Sequence, residues 1–334
     1  MTLDLPLIWA FIIAFAILAY VVLDGFDLGV GILFPFLDGT RHRDTAMNSV
    51  APVWDGNETW LVLGGGGLFA VFPLAYAIIL PALYPLVIAM LLGLILRGVA
   101  FEFRWKTERA KFLWDWAFAV GSFVAALAQG IMLGALIQGI KVDGRAYAGG
   151  WFDWFSPFSL LTGLSVVIGY TLLGATWLIW KTEDYVQNRA YGFASRLTLA
   201  LLVCIAAVSL WTPFLNPQFL ARWFSWPAIL YVAPVPLLTL FIAAKLVFAV
   251  HERREQTPFL ATLGLFVVCY VGLGISLYPA IVPPSITIWD AAAPDTSLRF
   301  LLIGSAVLLP IIVAYSAYSY WVFRGKVDTE GGYH

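Results

Sequence analysis

Long apolar stretches dominate the sequence and limit what the chain can fold into. A helix needs about 20 mostly apolar residues to cross a bilayer. Nine stretches meet that need, near 8–34, 51–73, 77–101, 115–139, 158–180, 194–214, 227–249, 259–281 and 299–323. Their connections are short, so we expect one all-α, multi-pass transmembrane domain over residues 1–334 with about nine transmembrane helices.

The composition supports a membrane protein and argues against some partners. The chain is 61% hydrophobic and 12% charged, whereas soluble domains carry about 25% charged residues. The formal net charge of −1 gives no electrostatic reason to expect nucleic acid as a partner. The expected surroundings are therefore the lipid bilayer.

The distribution of lysine and arginine predicts the orientation. Cytoplasmic connections of membrane proteins carry an excess of these residues. Alternate connections place most of them on one side, namely Arg41, Arg43, Arg104, Lys106, Arg109, Lys111, Lys181, Arg189, Arg196, Lys245, Arg253, Arg254, Arg324 and Lys326. We therefore expect a periplasmic N-terminus and a cytoplasmic C-terminus.

Ionisable side chains inside the apolar stretches are the main functional signal. Asp24 and Asp27 lie in LAYVVLDGFDLGVGILFPFL, Asp55 and Glu58 in VAPVWDGNETWLVLGGGG, and Arg97 in LVIAMLLGLILRGVAFEF. Such a group costs roughly 2.5–3.5 kcal/mol at membrane depth on insertion scales. Proteins tolerate that cost where the groups face the interior, pair with one another or move protons.

The spacing of these groups predicts a buried charge network. Asp24 and Asp27 are three residues apart and share a helix face, and two carboxylates so close in a low dielectric would not both ionise freely. This suits proton or cation handling, although capping of a helix end remains an alternative. Arg97 needs a counter-charge, and the candidates are Asp24, Asp27, Asp55 and Glu58.

The start of the second stretch adds two acids and two tryptophans. Asp55 and Glu58 share one face, and Trp54 and Trp60 flank them. Capping of the helix start would account for Asp55, but it accounts less well for Glu58 and the tryptophans. Four acids near one depth on consecutive stretches exceed what capping needs.

A charged pair lies just beyond Arg97. Glu102 and Lys106 are four residues apart on one face at the predicted cytoplasmic mouth. They form either an exposed pair worth about 0.3–0.5 kcal/mol or the entrance to a polar path that leads to Asp55.

Three further features favour structural roles. The run Gly64–Gly67 predicts close helix packing rather than a phosphate-binding loop. Asp115 and Asp290 each follow a tryptophan near a predicted membrane face. We expect both of these acids to cap helix starts.

The histidines lie where they cannot hold a haem in the membrane. His42 and His251 fall in predicted connections and His334 is the last residue, whereas haem iron is commonly held by histidine. We therefore expect no metal ligand and no catalytic group in this chain. Intramembrane acids without a metal can conduct protons but cannot perform a redox step.

These residues stand in blocks that resemble subunit II of the cytochrome bd-type quinol oxidases. The blocks are LDGFDLGVG at 23–31, NSVAPVWDGNETWL at 48–61, GLILRGVAFEFRWK at 93–106, FLWDWAFAVGSFV at 112–124 and LYPAIVPPSITIWDA at 277–291. Their order and spacing agree with that family over nearly the whole chain.

The resemblance implies a haem-free subunit of a terminal oxidase in the bacterial cytoplasmic (inner) membrane. The partner, subunit I, would hold haems b558, b595 and d, oxidise quinol and reduce dioxygen to water. Subunit II would have nine helices in two four-helix bundles plus one peripheral helix. A structural quinone and small accessory subunits are also implied for some members.

The resemblance also implies roles for single residues. Glu102 and Lys106 would take up protons from the cytoplasm and Asp55 would relay them, so that the complex builds a gradient without pumping. Trp60 matches a tryptophan near an oxygen route, and Trp54 serves that route or helix packing. Glu102 replaces an aspartate of some relatives, and Glu58 is an acid that other members lack. The short connection at 215–226 resembles the cyanide-insensitive branch.

Two other classes of function remain open at this point. A proton-coupled transporter would also use intramembrane acids, commonly within inverted repeats and broken helices, and it would work without a haem-bearing partner. A purely structural scaffold would tolerate every substitution of the acids.

Overall fold

The computed structural model describes residues 3–327, and helices make up most of this part of the chain. The helices are α1 (Leu5–Leu33), α2 (Thr40–Val50), α3 (Trp54–Val71), α4 (Pro73–Lys106), α5 (Lys111–Gln138), α6 (Pro157–Lys181), α7 (Asp184–Trp211), α8 (Pro217–Phe224), α9 (Ala228–Val232), α10 (Pro234–His251), α11 (Thr257–Leu277), α12 (Ile288–Ala291) and α13 (Asp295–Val322). The predicted all-α class is confirmed.

Short strand pairs lie in two of the connections. Strands β1 (Val142–Asp143) and β2 (Ala146–Tyr147) pair antiparallel between α5 and α6. Strands β3 (Ala280–Val282) and β4 (Ile286–Thr287) pair antiparallel between α11 and α12. Single-turn 3₁₀ segments at Phe34–Phe36 and Thr212–Phe214 extend α1 and α7.

Eight helices within residues 3–327 are long and apolar enough to cross a membrane. They are Leu5–Phe36, Pro73–Lys106, Lys111–Gln138, Pro157–Lys181, Asp184–Phe214, Ala228–His251, Thr257–Leu277 and Asp295–Val322. Each coincides with one of the nine predicted stretches, and the chain is therefore a multi-pass membrane protein. The segment Ala228–His251 contains the break between α9 and α10, next to Pro234.

The ninth predicted stretch, 51–73, does not meet the same standard. It forms the helix α3, which has only 18 residues and carries Asp55, Glu58 and the run Gly64–Gly67. The acids and glycines lower the mean hydropathy of α3. By length and composition the described residues therefore contain eight candidate spans, one fewer than the nine predicted. Only Phe72 separates α3 from α4, where Pro73 takes a first-turn position that needs no backbone N–H donor.

The centre of the structure lies where α1 packs against α3, α5 and α6. At Gly29 a Cβ would lie 1.8 Å from the backbone oxygen of Tyr170, and at Gly174 it would lie 2.3 Å from the carbonyl carbon of Gly29. Glycine is therefore required on both sides of the α1–α6 contact, where the two backbones touch.

The run Gly64–Gly67 packs on one side only. A Cβ at Gly64 or Gly67 would lie 3.3 Å from Ile17 or Ile13 of α1, whereas Gly65 and Gly66 face open space. Close packing is thus confirmed for the two outer glycines. The predicted grouping into two bundles plus a peripheral helix, and the predicted orientation of the termini, stay predictions.

Candidate functional site: a buried charge network

Arg97 of α4 is the centre of a network of charged side chains inside the protein. Its side chain and that of Asp24 are fully buried. Arg97 Nη1 donates to Asp24 Oδ1 at 2.6 Å, and Arg97 Nη2 donates to Glu58 Oε1. One guanidinium thus joins α1, α3 and α4, and two of the four predicted counter-charges are confirmed as its partners.

Asp27 belongs to the same network through a different neighbour. Asp27 is fully buried, and its Oδ2 accepts from Asn57 Nδ2 at 2.7 Å. Asn57 Oδ1 in turn accepts from the hydroxyl of Tyr320 at 2.8 Å. The amide of Asn57 therefore connects α1 to α13, a link that the sequence analysis missed.

A second polar chain lies one turn along α1, beside Asp24. Gln129 of α5 donates from Nε2 to the hydroxyl of Tyr20 at 2.9 Å, and its Oε1 accepts from the hydroxyl of Tyr170 at 2.8 Å. Tyr20 is buried and lies beside Asp24. The polar interior therefore extends from α13 through α1 to α6.

Glu58 links this interior to the protein surface. Its side chain is 27% exposed although it contacts the fully buried Arg97. Asp55 lies three residues earlier, in the first turn of α3, and is exposed. The carboxyl of Asp55 is therefore near Glu58 but makes no ion pair within residues 3–327.

The pair predicted at the cytoplasmic mouth lies on the surface. Lys106 Nζ is 3.6 Å from Glu102 Oε2, and the two side chains are 73% and 64% exposed. In the described part of the chain no hydrogen bond or ion pair joins this pair to Asp55 or to Arg97. The structure thus brings Glu102 and Lys106 together and leaves their connection to the interior a prediction.

The two predicted tryptophans pack at either end of the acidic turn. Trp54 stacks on Phe101 with ring centroids 4.8 Å apart. Trp60 is 2% exposed and meets Phe15 edge to face at 5.6 Å. Both contacts fit helix packing.

Sequence reasoning missed a second ionic cluster at the end of α4. Arg104 is fully buried, and its Nε and Nη1 each lie 2.6 Å from a carboxylate oxygen, of Asp115 and Asp44 respectively. Asp115 also accepts from Arg43 Nη1 at 2.9 Å, and Lys111 Nζ lies 3.2 Å from Asp44. The cluster fixes α2, α4 and α5 to one another.

A sequence signal for this cluster did exist. Arg104 follows Arg97 by seven residues and therefore lies on the same helix face, two turns further on. The expectation that Asp115 caps a helix start was wrong, because α5 begins at Lys111 and Asp115 lies in its second turn. The same expectation for Asp290 is confirmed, since Thr287 and Asp290 form a capping box at the start of α12.

The chain matches a known protein family over nearly all of its length. Residues 5–323 match the family described as cytochrome bd terminal oxidase subunit II. That range includes every residue of the charge network. The chain belongs to this family.

Relatives and a solved structure are similar over nearly the full length. The cytochrome bd-I ubiquinol oxidase subunit 2 of Escherichia coli (strain K12) is 31% identical, covering 98% of this chain and 96% of the relative. The cytochrome bd ubiquinol oxidase subunit 2 of Bacillus subtilis (strain 168) is 29% identical, covering 96% of each. The bd oxidase of Geobacillus thermodenitrificans has a chain of similar fold, with a TM-score of 0.74, 18% identity and coverage of 97% of this chain and all of that one.

Family membership makes this chain part of an oxidoreductase complex, a terminal oxidase with a subunit I partner and haems. It favours the oxidase over the transporter that the acids alone left open. Residues 3–327 contain two histidines. His42 of α2 stacks on Tyr185 of α7, and His251 ends α10 in an exposed position. Neither imidazole faces the buried interior, so the described residues do not fit an axial histidine for a buried haem. His334 lies outside the described residues.

Proposed function

We propose that this chain is the haem-free subunit of a bacterial terminal oxidase that couples quinol oxidation to the reduction of dioxygen to water. In this proposal subunit I carries haems b558, b595 and d, and the complex lies in the cytoplasmic membrane. Protons for the reaction come from the cytoplasm, so that the reaction is electrogenic without pumping. Membership of the bd oxidase subunit II family supports this assignment.

The first part of the proposed role is support of assembly. The fully buried pair of Arg97 and Asp24 joins α4 to α1, and Glu58 adds α3. Breaking a buried pair by removing one partner costs about 3–5 kcal/mol, because the other charge stays buried alone. A subunit held together in this way would present a fixed surface to subunit I.

The second part is a proton path. Glu102 and Lys106 would take up protons at the surface, and Asp55 would relay them toward Glu58. The observation that carries this step is the position of Glu58, which is 27% exposed and at the same time contacts the buried Arg97. Asp24, Asp27 and Asn57 continue the polar groups inward.

Substitution of Asp55 tests the path. We expect Asp55→Asn to lower quinol-dependent oxygen consumption by roughly tenfold or more, since a positioned proton-transfer group contributes about 10²–10⁴-fold. The haem spectrum of the complex should not change, because Asp55 is exposed and holds no ion pair within residues 3–327. A larger solvent deuterium isotope effect in the variant would identify the lost step as proton transfer.

The matched control is Asp143→Asn, an exposed acid in β1 far from the network in sequence. It should leave oxygen consumption unchanged. Normal turnover of Asp55→Asn in a fully assembled complex would overturn the relay role while leaving the assignment to the oxidase untouched.

A further inference from the structure

A cleft of about 550 Å³ lies between α7 and α10, well separated in sequence from the charge network. Its volume falls in the range of small-molecule sites, about 300–1,000 Å³. Polar side chains lie at one end, where α10 stops at His251. Apolar side chains line the rest, namely Leu199, Leu202, Val247 and Val250. The cleft is thus amphipathic along its length.

The apolar end of the cleft opens on the outer surface of the protein. Leu199 is 68% exposed and Val247 is 46% exposed, and both belong to helices that are long and apolar enough to span a membrane. The surface around the opening therefore faces lipid unless another subunit covers it.

Two hydroxyl residues of α7 line the middle of the cleft. Thr198 lines the cleft and is only 4% exposed, yet its Oγ1 has no hydrogen-bond partner within residues 3–327. Most threonines in membrane helices donate to a carbonyl of the preceding turn, as Thr171 and Thr176 do here. Ser195 lies one turn away in the same cleft. Ser195 is exposed and supplies a polar group next to the charged end, whereas the hydroxyl of Thr198 is buried beneath the cleft surface.

Arg253 supplies a positive charge at the polar end. Its Nη2 donates to Asn188 Oδ1 at 2.6 Å, and its guanidinium lies 4.8 Å from the ring centroid of Tyr191. No carboxylate of the described residues lies within 4.0 Å of it, whereas the neighbouring Arg254 pairs with Glu252 at 2.7 Å. The guanidinium is therefore positioned by neutral neighbours and keeps its charge available to an anion.

We propose that this cleft binds an anionic glycerophospholipid of the surrounding bilayer. The phosphate would lie against Arg253 and Asn188, a glycerol ester oxygen against the exposed hydroxyl of Ser195, and an acyl chain along the apolar end. Charge complementarity argues for this occupant, because basic side chains at the membrane surface attract anionic headgroups. The amphipathic order of the lining matches the order of groups in such a lipid.

Gly192 offers a clean way to fill the cleft. It lines the cleft, and a Cβ built on it meets nothing within 4 Å. The Cβ of Gly192→Phe therefore meets no clash, and the added ring is attached to the lining of the cleft. Gly274 of α11 also faces open space and lies outside the cleft, so Gly274→Phe is the matched control.

The experiment is native mass spectrometry of the detergent-purified oxidase complex, with and without added phosphatidylglycerol or phosphatidylcholine. We expect wild type and Gly274→Phe to retain phosphatidylglycerol, and Gly192→Phe to lose it. Arg253→Asn should weaken retention by roughly tenfold or more, because it removes the positive charge and the charge-assisted hydrogen bonds that would hold the phosphate. Asparagine suits the positive φ of 54° at this position.

Three results would overturn the proposal. Equal retention in Gly192→Phe and Gly274→Phe would place the lipid elsewhere. Equal retention of phosphatidylcholine and phosphatidylglycerol by wild type would exclude recognition of the negative charge. Loss of a quinone rather than a phospholipid from Gly192→Phe would assign the cleft to an uncharged occupant. If Gly192→Phe fails to assemble, the comparison of Arg253→Asn with wild type still tests the proposal, because Arg253 lies on an exposed turn.

Discussion

At the scale of single residues, Arg97 determines how the buried acids are arranged. Asp24 and Glu58 share its guanidinium, while Asp27 is held by the amide of Asn57. Three carboxyl groups therefore surround one positive charge in an interior where charges cost several kcal/mol. Such an arrangement stabilises the fold only while all of its members are present.

Removal of Arg97 is expected to prevent accumulation of the complex. Arg97→Ala leaves Asp24 buried without a counter-charge, which costs about 3–5 kcal/mol, a large share of the stability of a protein. We expect little intact complex in blue native gels of the membranes. Arg109→Ala, which removes an exposed arginine, is the control and should leave the amount unchanged. Wild-type amounts of complex with Arg97→Ala would contradict this account.

The residues of this network show what a sequence can and cannot predict. Arg97 and its acidic partners could be predicted because charged side chains stand out in apolar stretches. Asn57 and Tyr320 could not, since neither is ionised and 263 residues separate them. Asp115 was wrongly expected to cap a helix because its partner Arg104 was counted with the surface charges of the cytoplasmic side.

At the scale of helices, α3 differs most from a simple membrane span. It has 18 residues and carries both acids and four consecutive glycines. Its acids extend the charge network to the surface. Gly64 and Gly67 allow α3 to pack closely against α1. The same residues that give α3 its role lower its hydropathy, so length and composition alone do not mark it as a span.

The contact between α1 and α6 should not tolerate even a methyl group. Gly29→Ala places a Cβ 1.8 Å from a backbone oxygen of α6, and overpacking typically costs about 1–3 kcal/mol or more. We expect a lower melting temperature and a lower yield of the purified complex. Gly274→Ala, in open space, should change neither. Equal melting temperatures for the two variants would refute the close contact.

The attachment of the segment after α13 to the rest of the protein is expected to weaken in acid. Lys326 Nζ lies 3.0 Å from Glu255 Oε2, and Val327 N donates to the carbonyl oxygen of Lys181 at 2.8 Å. Hydrogen bonds from Lys326 and Gln187 lower the pKa of Glu255. The ion pair is therefore fully present above the ordinary glutamate pKa of about 4.3 and is lost as pH falls through the lower pKa of the folded protein.

Hydrogen–deuterium exchange of residues 323–327 tests this attachment. Exchange, corrected for its intrinsic pH dependence, should be faster near pH 3 than at pH 7, and Glu255→Gln should show fast exchange at both. The effect should be modest, at most about 1 kcal/mol, because the pair is partly exposed. Glu252→Gln, which breaks the neighbouring pair with Arg254, serves as control. Equal corrected exchange of the wild type at both pH values would show that the pair does not hold the segment.

At the scale of the whole molecule, the apolar stretches were enough to predict an all-α, multi-pass membrane protein. Eight predicted stretches coincide with helices of spanning length and composition, and the ordered sequence blocks predicted the family that the comparisons confirm. The relative placement of the helices could not be predicted, because it depends on contacts between distant residues such as Gly29 and Gly174. The proton path also depends on a surface that subunit I would complete.

The central claim is that this chain works as the haem-free subunit of a quinol oxidase. The most direct test is purification of the tagged chain from its native membrane in mild detergent, followed by a reduced-minus-oxidised visible spectrum and an assay of quinol-dependent oxygen consumption. We expect a co-purifying haem protein with b- and d-type bands and oxidase activity. A colourless chain that purifies without a partner would contradict this claim.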